Sequence, residues 1–299
     1  IIGLRAHLST QDAMLQLKHH VLEGRTRTTK AILGLDLEKA FDSIAHSTIL
    51  DRISRLNLGA RSYNYVRDFL SNRTAFLSAG DLRSDAQTLG SAGTPQGSVI
   101  SPMLFNLVMI DLAKELQQVD GVTHTIYADD ITIWAYQGSD GQIETALQSA
   151  IETVETYLEG TGLRCCPAKS ELLIYRPTIR GRRRKRSTTK RQYEGIALHL
   201  TDGSPIPLVT NTRVLGMLIK ANAANGMAVA KIQINASNTM RLKRVSKRRG
   251  GMKEENLRLI QSFVICHITY VAAFLNWYKA EKTKLNILLR SVYKQALGL

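Results

Sequence analysis

Residues 123–134 read Thr-His-Thr-Ile-Tyr-Ala-Asp-Asp-Ile-Thr-Ile-Trp, two alternating runs on either side of Ala128-Asp129-Asp130. Alternation of this kind marks two strands, and the short break between them marks a tight hairpin turn. The turn carries paired carboxylates. Neighbouring carboxylates repel, so their place at a hairpin tip has two readings, a solvated acidic turn or a site for a divalent cation. Mg²⁺ takes one or two protein carboxylates and fills its other positions with water and phosphate oxygens.

Upstream, Ala31-Ile-Leu-Gly-Leu35 is short and apolar, the pattern of a buried strand that ends at Asp36. From Glu38 to Leu56 the spacing becomes helical, with Phe41, Ile44, Ile49, Ile53 and Leu56 on or near one face. At a strand end beside a strand-to-helix turn, Asp36 is placed either to meet a metal or to cap the helix. Between the two acidic sites, Ser91-Ala-Gly-Thr-Pro-Gln-Gly-Ser98 forms a loop in which Gly93, Pro95 and Gly97 allow close backbone approach. An apolar helix follows with Leu104, Leu107, Val108 and Leu112, and Ser98 or Ser101 as its cap. A glycine-rich loop opening a helix suits phosphate or nucleotide contact, while Pro-Gln-Gly alone is also an ordinary turn.

Composition narrows the class. The chain has 299 residues, more than one compact core needs, so two or three subdomains are expected. A net charge of +15 points to a polyanionic partner without identifying it. The three cysteines, Cys165, Cys166 and Cys266, lack metal-ligand spacing, which argues against a disulfide framework or structural zinc and for a reducing compartment. No signal peptide is visible. The apolar stretch Leu259–Leu275 contains Gln261, Ser262 and His267, so it reads as a buried helix and not as a membrane span.

The positive charge falls in two blocks. Residues 180–191, with Arg182, Arg183 and Arg184 at their centre, hold eight of the forty basic residues and no acidic one. Such a block cannot fold on itself. It is either a nucleic-acid contact or nuclear-localisation signal, or a solvated basic loop. The second block comprises Arg241, Lys243, Arg244, Lys247, Arg248, Arg249 and Lys253. Phosphate contacts from such residues give affinity that falls steeply with salt and little sequence preference. Beyond it, Leu257, Ile260, Val264, Ile268, Val271 and Leu275 mark one helix face, and Trp277, Tyr278 and Tyr293 read as packing residues.

Taken in order, these segments resemble the reverse transcriptase family, over about residues 1–220. Asp36 with Phe41 matches motif A, Thr94-Pro95-Gln96-Gly97-Ser98 matches motif B, and Tyr127-Ala128-Asp129-Asp130 matches motif C. Gly162-Leu163 followed by Pro167-Ala168-Lys169-Ser170-Glu171 is similar to motif D, and Leu215-Gly216-Met217-Leu218-Ile219 to the motif E primer grip. Gly3-Leu4-Arg5 with Ser9-Thr10-Gln11-Asp12-Ala13 resembles a fingers motif of non-LTR retrotransposons and group II introns. Gln96-Gly97 and the insertion after motif D favour the non-LTR, LINE-like branch.

The resemblance implies an α+β fold, a right-hand polymerase with an antiparallel palm sheet, interleaved fingers and a helical thumb. Residues 1–222 would form fingers and palm, with fingers from 1–30 and roughly 57–92 and a basic loop at 178–192. Residues 223–299 would form the thumb. Asp36 and Asp129 would bridge two Mg²⁺ ions (Mn²⁺ being possible), with Asp130 as a closer or outer ligand and the Leu37 carbonyl as a further one. Phe41 would be the steric gate against a 2′-hydroxyl, its alternative being a core aromatic. Gln96 and Gly97 would lie near the templating base and incoming sugar, Arg5 would contact the triphosphate, and Lys169 would act as general acid toward pyrophosphate. Cys165-Cys166-Pro167 departs from the more usual Asn-containing form of motif D. Tyr127, Gly216, Met217 and the two basic blocks would contact nucleic acid.

The activity implied is RNA-directed DNA synthesis with an RNA template, a DNA primer and dNTPs as partners, in the nucleus at the site of integration after cytoplasmic transit. The missing initiator Met, and a start inside the fingers motif, read as a fragment of a larger polyprotein. Two alternatives stand beside this one. A catalytically silent nucleic-acid-binding relic would keep the fold without turnover. An RNA-directed RNA polymerase would carry Gly-Asp-Asp at motif C and a carboxylate where Phe41 stands, and Asp42 comes one residue too late for that role.

Overall fold

The computed structural model describes residues 1, 7–23, 28–176, 195–248 and 253–297, with the side chains of 242–248 and 253–256 excepted. In chain order the elements begin with α1 (Thr10–Leu17), β1 (Lys30–Leu35), α2 (Ala40–Ser43), α3 (His46–Arg55) and α4 (Ala60–Leu70). Four two-residue strands follow: β2 (Thr74–Ala75), β3 (Ser78–Ala79), β4 (Leu82–Arg83) and β5 (Gln87–Thr88). Then come α5 (Ser101–Leu116), β6 (Thr123–Tyr127), β7 (Asp130–Ala135), α6 (Asp140–Leu158), β8 (Glu171–Tyr175) and β9 (Leu208–Val209). The chain closes with β10 (Asn211–Val214), β11 (Met217–Lys220), α7 (Gly226–Arg248), α8 (Lys253–Ile260), α9 (Cys266–Ala272) and α10 (Lys279–Leu297). The class is α+β. No described helix is long and apolar enough to cross a membrane.

Contacts divide the described residues into two units, one of 1, 7–10, 28–172 and 195–209, the other of 11–23, 173–176, 210–248 and 253–297. This is a division by contacts and not by role.

In the first unit the hairpin forms as its alternation requires. β6 pairs antiparallel with β7 from Thr123↔Trp134 to Tyr127↔Asp130, and β7 pairs antiparallel with β1 from Ala31↔Ala135 to Leu35↔Ile131. The sheet order is β6-β7-β1-β8-β9, with Glu171 and Leu172 the β8 residues of this unit. β1 and β7 are buried on both faces, which is why their sequences read as apolar runs. Helix α5 packs on β6, and α6 on β7 and β1. Leu33, Phe105, Leu112, Ile133, Trp134 and Leu147 are fully enclosed, each contributing roughly 1.5–3 kcal/mol of burial. Helix α6 starts where it does because Ser139 and Gln142 cap each other: the Gln142 N–H donates to Ser139 Oγ at 3.3 Å and the Ser139 N–H to Gln142 Oε1 at 2.8 Å.

In this unit three sequence expectations are corrected by the structure. The Glu38–Leu56 helix is two helices, α2 and α3, broken at Ile44-Ala45. Tertiary hydrogen bonds claim that backbone: the Gly93 N–H donates to the Ile44 carbonyl at 2.7 Å, and the Ala45 N–H to the Thr161 carbonyl at 2.9 Å. Ile44, Ile49 and Ile53 are buried, but Leu56 is exposed. Neither Ser98 nor Ser101 caps α5; Ser101 is its first residue, and its hydroxyl donates to the Pro95 carbonyl at 2.8 Å. Asp36 caps no helix, because α2 begins four residues later with Lys39 as its flanking residue.

The second unit contains the β10–β11 hairpin, paired from Asn211↔Lys220 to Val214↔Met217, and α7 to α10. Ala236, Ile260, Val264, Val292 and Ala296 form its core, with Met240, Ile268 and Leu289 against it. The single helix face expected over 257–275 is interrupted by a π-type turn at Gln261–Ile265, which shifts the phase. Ile260, Val264 and Phe274 are buried, whereas Leu257 and Phe263 are exposed, so Leu259–Leu275 is not a wholly buried helix. Tyr278 and Tyr293, 38% and 37% exposed, are packed only in part. Residues 11–23 join this unit, where Lys18 Nζ donates to the Ala273 carbonyl at 2.8 Å.

Candidate active site

Where β1 ends, its pairing with β7 brings Asp36 beside the tip of the β6–β7 hairpin. Asp36 and Asp130 each lie one residue past the Leu35↔Ile131 pair, and Asp129 follows in the turn. Ala128 takes φ +54° at the first turn position, as a two-residue hairpin requires and at a cost of roughly 1–2 kcal/mol for a non-glycine residue. Asp36 and Asp129 are half-buried and Asp130 is exposed. Among the described residues no three His, Cys, Asp or Glu side chains are grouped closely enough to hold a metal ion, so the expected Asp36, Asp129 and Asp130 set is not a closed cage.

Asp36 itself is fixed through its backbone. Ser170 Oγ accepts its N–H at 3.2 Å, and its carbonyl accepts the Cys166 N–H at 2.8 Å. The same segment runs on beside Leu37, which bridges Cys165, and Glu38, whose N–H donates to the Arg164 carbonyl at 2.9 Å. Ser170 has no exposed surface, and its hydroxyl donates to the Cys166 carbonyl at 2.8 Å. Just before this segment, Gly162 passes against Ser43: with φ +84°, a Cβ there would stand 2.4 Å from the Ser43 carbonyl oxygen. Both backbone groups of Asp36 are satisfied while its buried Oδ2 accepts no hydrogen bond. Its ion-pair neighbour is Lys169 Nζ, 3.6 Å away on a largely exposed side chain. A buried carboxylate oxygen without a donor is costly, and a cation remedies that deficit. Burial pushes the neighbouring Cys165 thiol up to about 12, so it stays neutral and packs.

The 91–98 loop docks on residues 41–46, just past Asp36. Gly93, at φ +84°, passes so close to α2 that a Cβ would meet the Asp42 carbonyl oxygen at 2.8 Å. The Thr94 N–H donates to the Phe41 carbonyl at 2.7 Å, and the His46 ring Nε2–H to the Gly93 carbonyl at 2.8 Å. Gln96 Nε2 donates to the Asp42 carboxylate at 3.0 and 3.3 Å. Gly97 stands open at φ +84°, with nothing within 4 Å of the place a Cβ would take. Phe41 is half-buried, its ring 4.6 Å from that of the fully buried Phe105, so it is both packed and partly presented.

The structure therefore brings Asp36, Leu37, Phe41, Gln96, Gly97, Asp129, Asp130 and Lys169 into one unit, with half-buried Tyr127 ending β6. Gly216, Met217 and exposed Arg241 belong to the other unit. Arg5, Arg182, Arg183, Arg184 and Arg249, with the rest of residues 178–192, lie outside the described residues, as do the side chains of Lys243, Arg244, Lys247 and Arg248. Two residues carry more than the sequence reading gave them. Asp42 holds Gln96 and Ser170 holds Asp36, links across 54 and 134 residues that no local pattern announces.

Comparison with known proteins places the chain in a family. The family profile described as reverse transcriptase (RNA-dependent DNA polymerase) matches residues 1–217. A retrovirus-related Pol polyprotein from the type-1 retrotransposable element R2 of Popillia japonica is 29% identical over 147 residues, covering 48% of this chain and 21% of its own length. The RNA-directed DNA polymerase from the mobile element jockey of Drosophila melanogaster is 27% identical over 168 residues, covering 54% of this chain and 18% of its own. The chain thus spans about a fifth of these relatives. Among solved structures, apo telomerase from Candida tropicalis, truncated from its C-terminal domain, aligns with a TM-score of 0.48 at 9% identity over 74% of this chain and 39% of that one.

Proposed function

This chain belongs to the reverse transcriptase (RNA-dependent DNA polymerase) family, and we propose that it is the polymerase region of a non-LTR retrotransposon protein. It joins dNTPs to a DNA primer 3′-hydroxyl under the direction of an RNA template, in the nucleus where the element integrates. The observation that supports this best is the buried Asp36 Oδ2, left without a hydrogen bond beside the Asp129-Asp130 tip.

Asp36 and Asp129 would hold two divalent cations, with Asp130 and the Leu37 carbonyl contributing, and these hard oxygen donors would suit Mg²⁺ or Mn²⁺. When bound, such ions supply activation of the attacking hydroxyl and stabilisation of the leaving oxygen. The chain's own residues do the rest. Phe41, steadied by Phe105, meets the sugar at its 2′ position and excludes a hydroxyl there. Gln96, released from Asp42, and Gly97 line the incoming nucleotide. Lys169 holds a proton for the pyrophosphate oxygen, an effect worth roughly 10²–10⁴-fold. The 215–219 segment grips the primer, and Arg241 with the basic residues after it follows duplex phosphates. Fingers and palm come from 1–222 and the thumb from 223–299.

The test is Mg²⁺-dependent dNTP incorporation on a primed RNA template at low salt, beside the Asp129→Ala, Asp130→Ala double variant. Incorporation by the wild type that the variant loses is the expected result. Equal nucleic-acid binding without incorporation by either protein would favour the silent relic.

A further inference from the structure

The β10–β11 hairpin turns through Leu215 and Gly216, at φ +46° and +90°, between the paired Val214 and Met217. An isolated hairpin of two four-residue strands is marginal in water. The tip is held from α9. The Tyr270 hydroxyl donates to the Leu215 carbonyl at 2.8 Å, across 55 residues. Its ring also covers the glycine, since a Cβ on Gly216 would stand 3.3 Å from Tyr270 Cε1. One side chain thus restrains both central residues of the turn, one by a hydrogen bond and the other by contact. Residue 270 lies beyond the 1–217 segment that matches the family and in none of its motifs.

We infer that Tyr270 is a positioning residue for the primer end, acting through the Leu215-Gly216 turn. This rests on the reading of 215–219 as the primer grip. Gly216 is then required twice, for its positive φ and for the room the ring needs. The hydroxyl acts on the turn, through the Leu215 carbonyl.

The experiment compares wild type with Tyr270→Phe, which keeps the ring and removes the hydroxyl. Amide hydrogen exchange of residues 211–220 reads the restraint directly, and steady-state extension of a primed RNA template reads its consequence. Expected are faster exchange confined to that hairpin and a primer KM raised by about 2- to 10-fold, the worth of one net hydrogen bond. The dNTP KM and the melting temperature should not move. Unchanged exchange would overturn the restraint. Faster exchange with an unchanged primer KM, in an active wild type, would overturn the positioning role. A wild type without any incorporation would instead refute the polymerase reading, and with it the primer role. A second pair, Gly216→Ala alone and with Tyr270→Ala, separates ring from backbone: removing the ring should restore part of the lost primer affinity, and no restoration would refute the steric half.

Discussion

Replacing Ser170 by Ala removes one oxygen from the candidate site and deletes none of the proposed reacting groups. Two hydrogen bonds go with it. The Cys166 carbonyl loses the hydroxyl but still accepts the Ser170 N–H at 2.9 Å and the Lys169 N–H at 3.2 Å, so its loss is small. The Asp36 N–H is different, because Ser170 Oγ is its partner and Ser170 has no exposed surface through which water could substitute. An orphaned buried donor costs roughly 1–3 kcal/mol, so about 2 kcal/mol of stability should go. With a urea slope of about 2 kcal/mol/M, the midpoint should fall by about 1 M. Tryptophan fluorescence is a suitable probe, since Trp134 is fully buried on β7, the strand paired with β1. Turnover should fall further than stability implies, by about 10- to 100-fold, because small misplacements of a reacting group are amplified in rate. Primer–template binding should hold. A midpoint within experimental error of wild type, with turnover preserved, would refute the argument that Ser170 fixes Asp36.

Gly162→Ala places a Cβ 2.4 Å from the Ser43 carbonyl at φ +84° and should cost about 2–5 kcal/mol by urea titration. Gly203→Ala, with φ +83° but open space, is its control and should cost only about 1–2 kcal/mol. Burial lowers the His124 pKa to about 4, so the unfolded chain binds the extra proton between pH 6.5 and 4. Its contribution is therefore complete above pH 6.5 and lost as pH falls toward 4, by about 1–2 kcal/mol once its partial exposure is discounted. His124→Leu should flatten that part of the stability profile, and parallel profiles would count against the assignment. Phe41→Ala should cut discrimination between dNTPs and rNTPs by roughly 10²-fold in competing incorporation assays. Unchanged selectivity would leave Phe41 as a packing partner of Phe105 alone.

What the sequence determined by itself are the features encoded within a few residues of one another. The alternation around Ala128-Asp129-Asp130 specified the β6–β7 hairpin, the apolar run Ala31–Leu35 specified β1, and the Leu104–Leu112 spacing specified α5. The order of the acidic positions and the Pro-Gln-Gly loop then carried the family. Period and turn chemistry are local, so they survive reading one chain at a time. The tertiary structure decided what depends on distant backbone. Helical spacing over Glu38–Leu56 could not disclose that Gly93 and Thr161 would claim the polar groups of Ile44 and Ala45 and break the helix. Nor could it disclose that Asp42 would occupy Gln96, that Ser170 would pin Asp36, or that Tyr270 would close over Gly216. A hydrogen bond between residues far apart in the chain leaves no periodic trace, because its geometry exists only after the elements between them have packed.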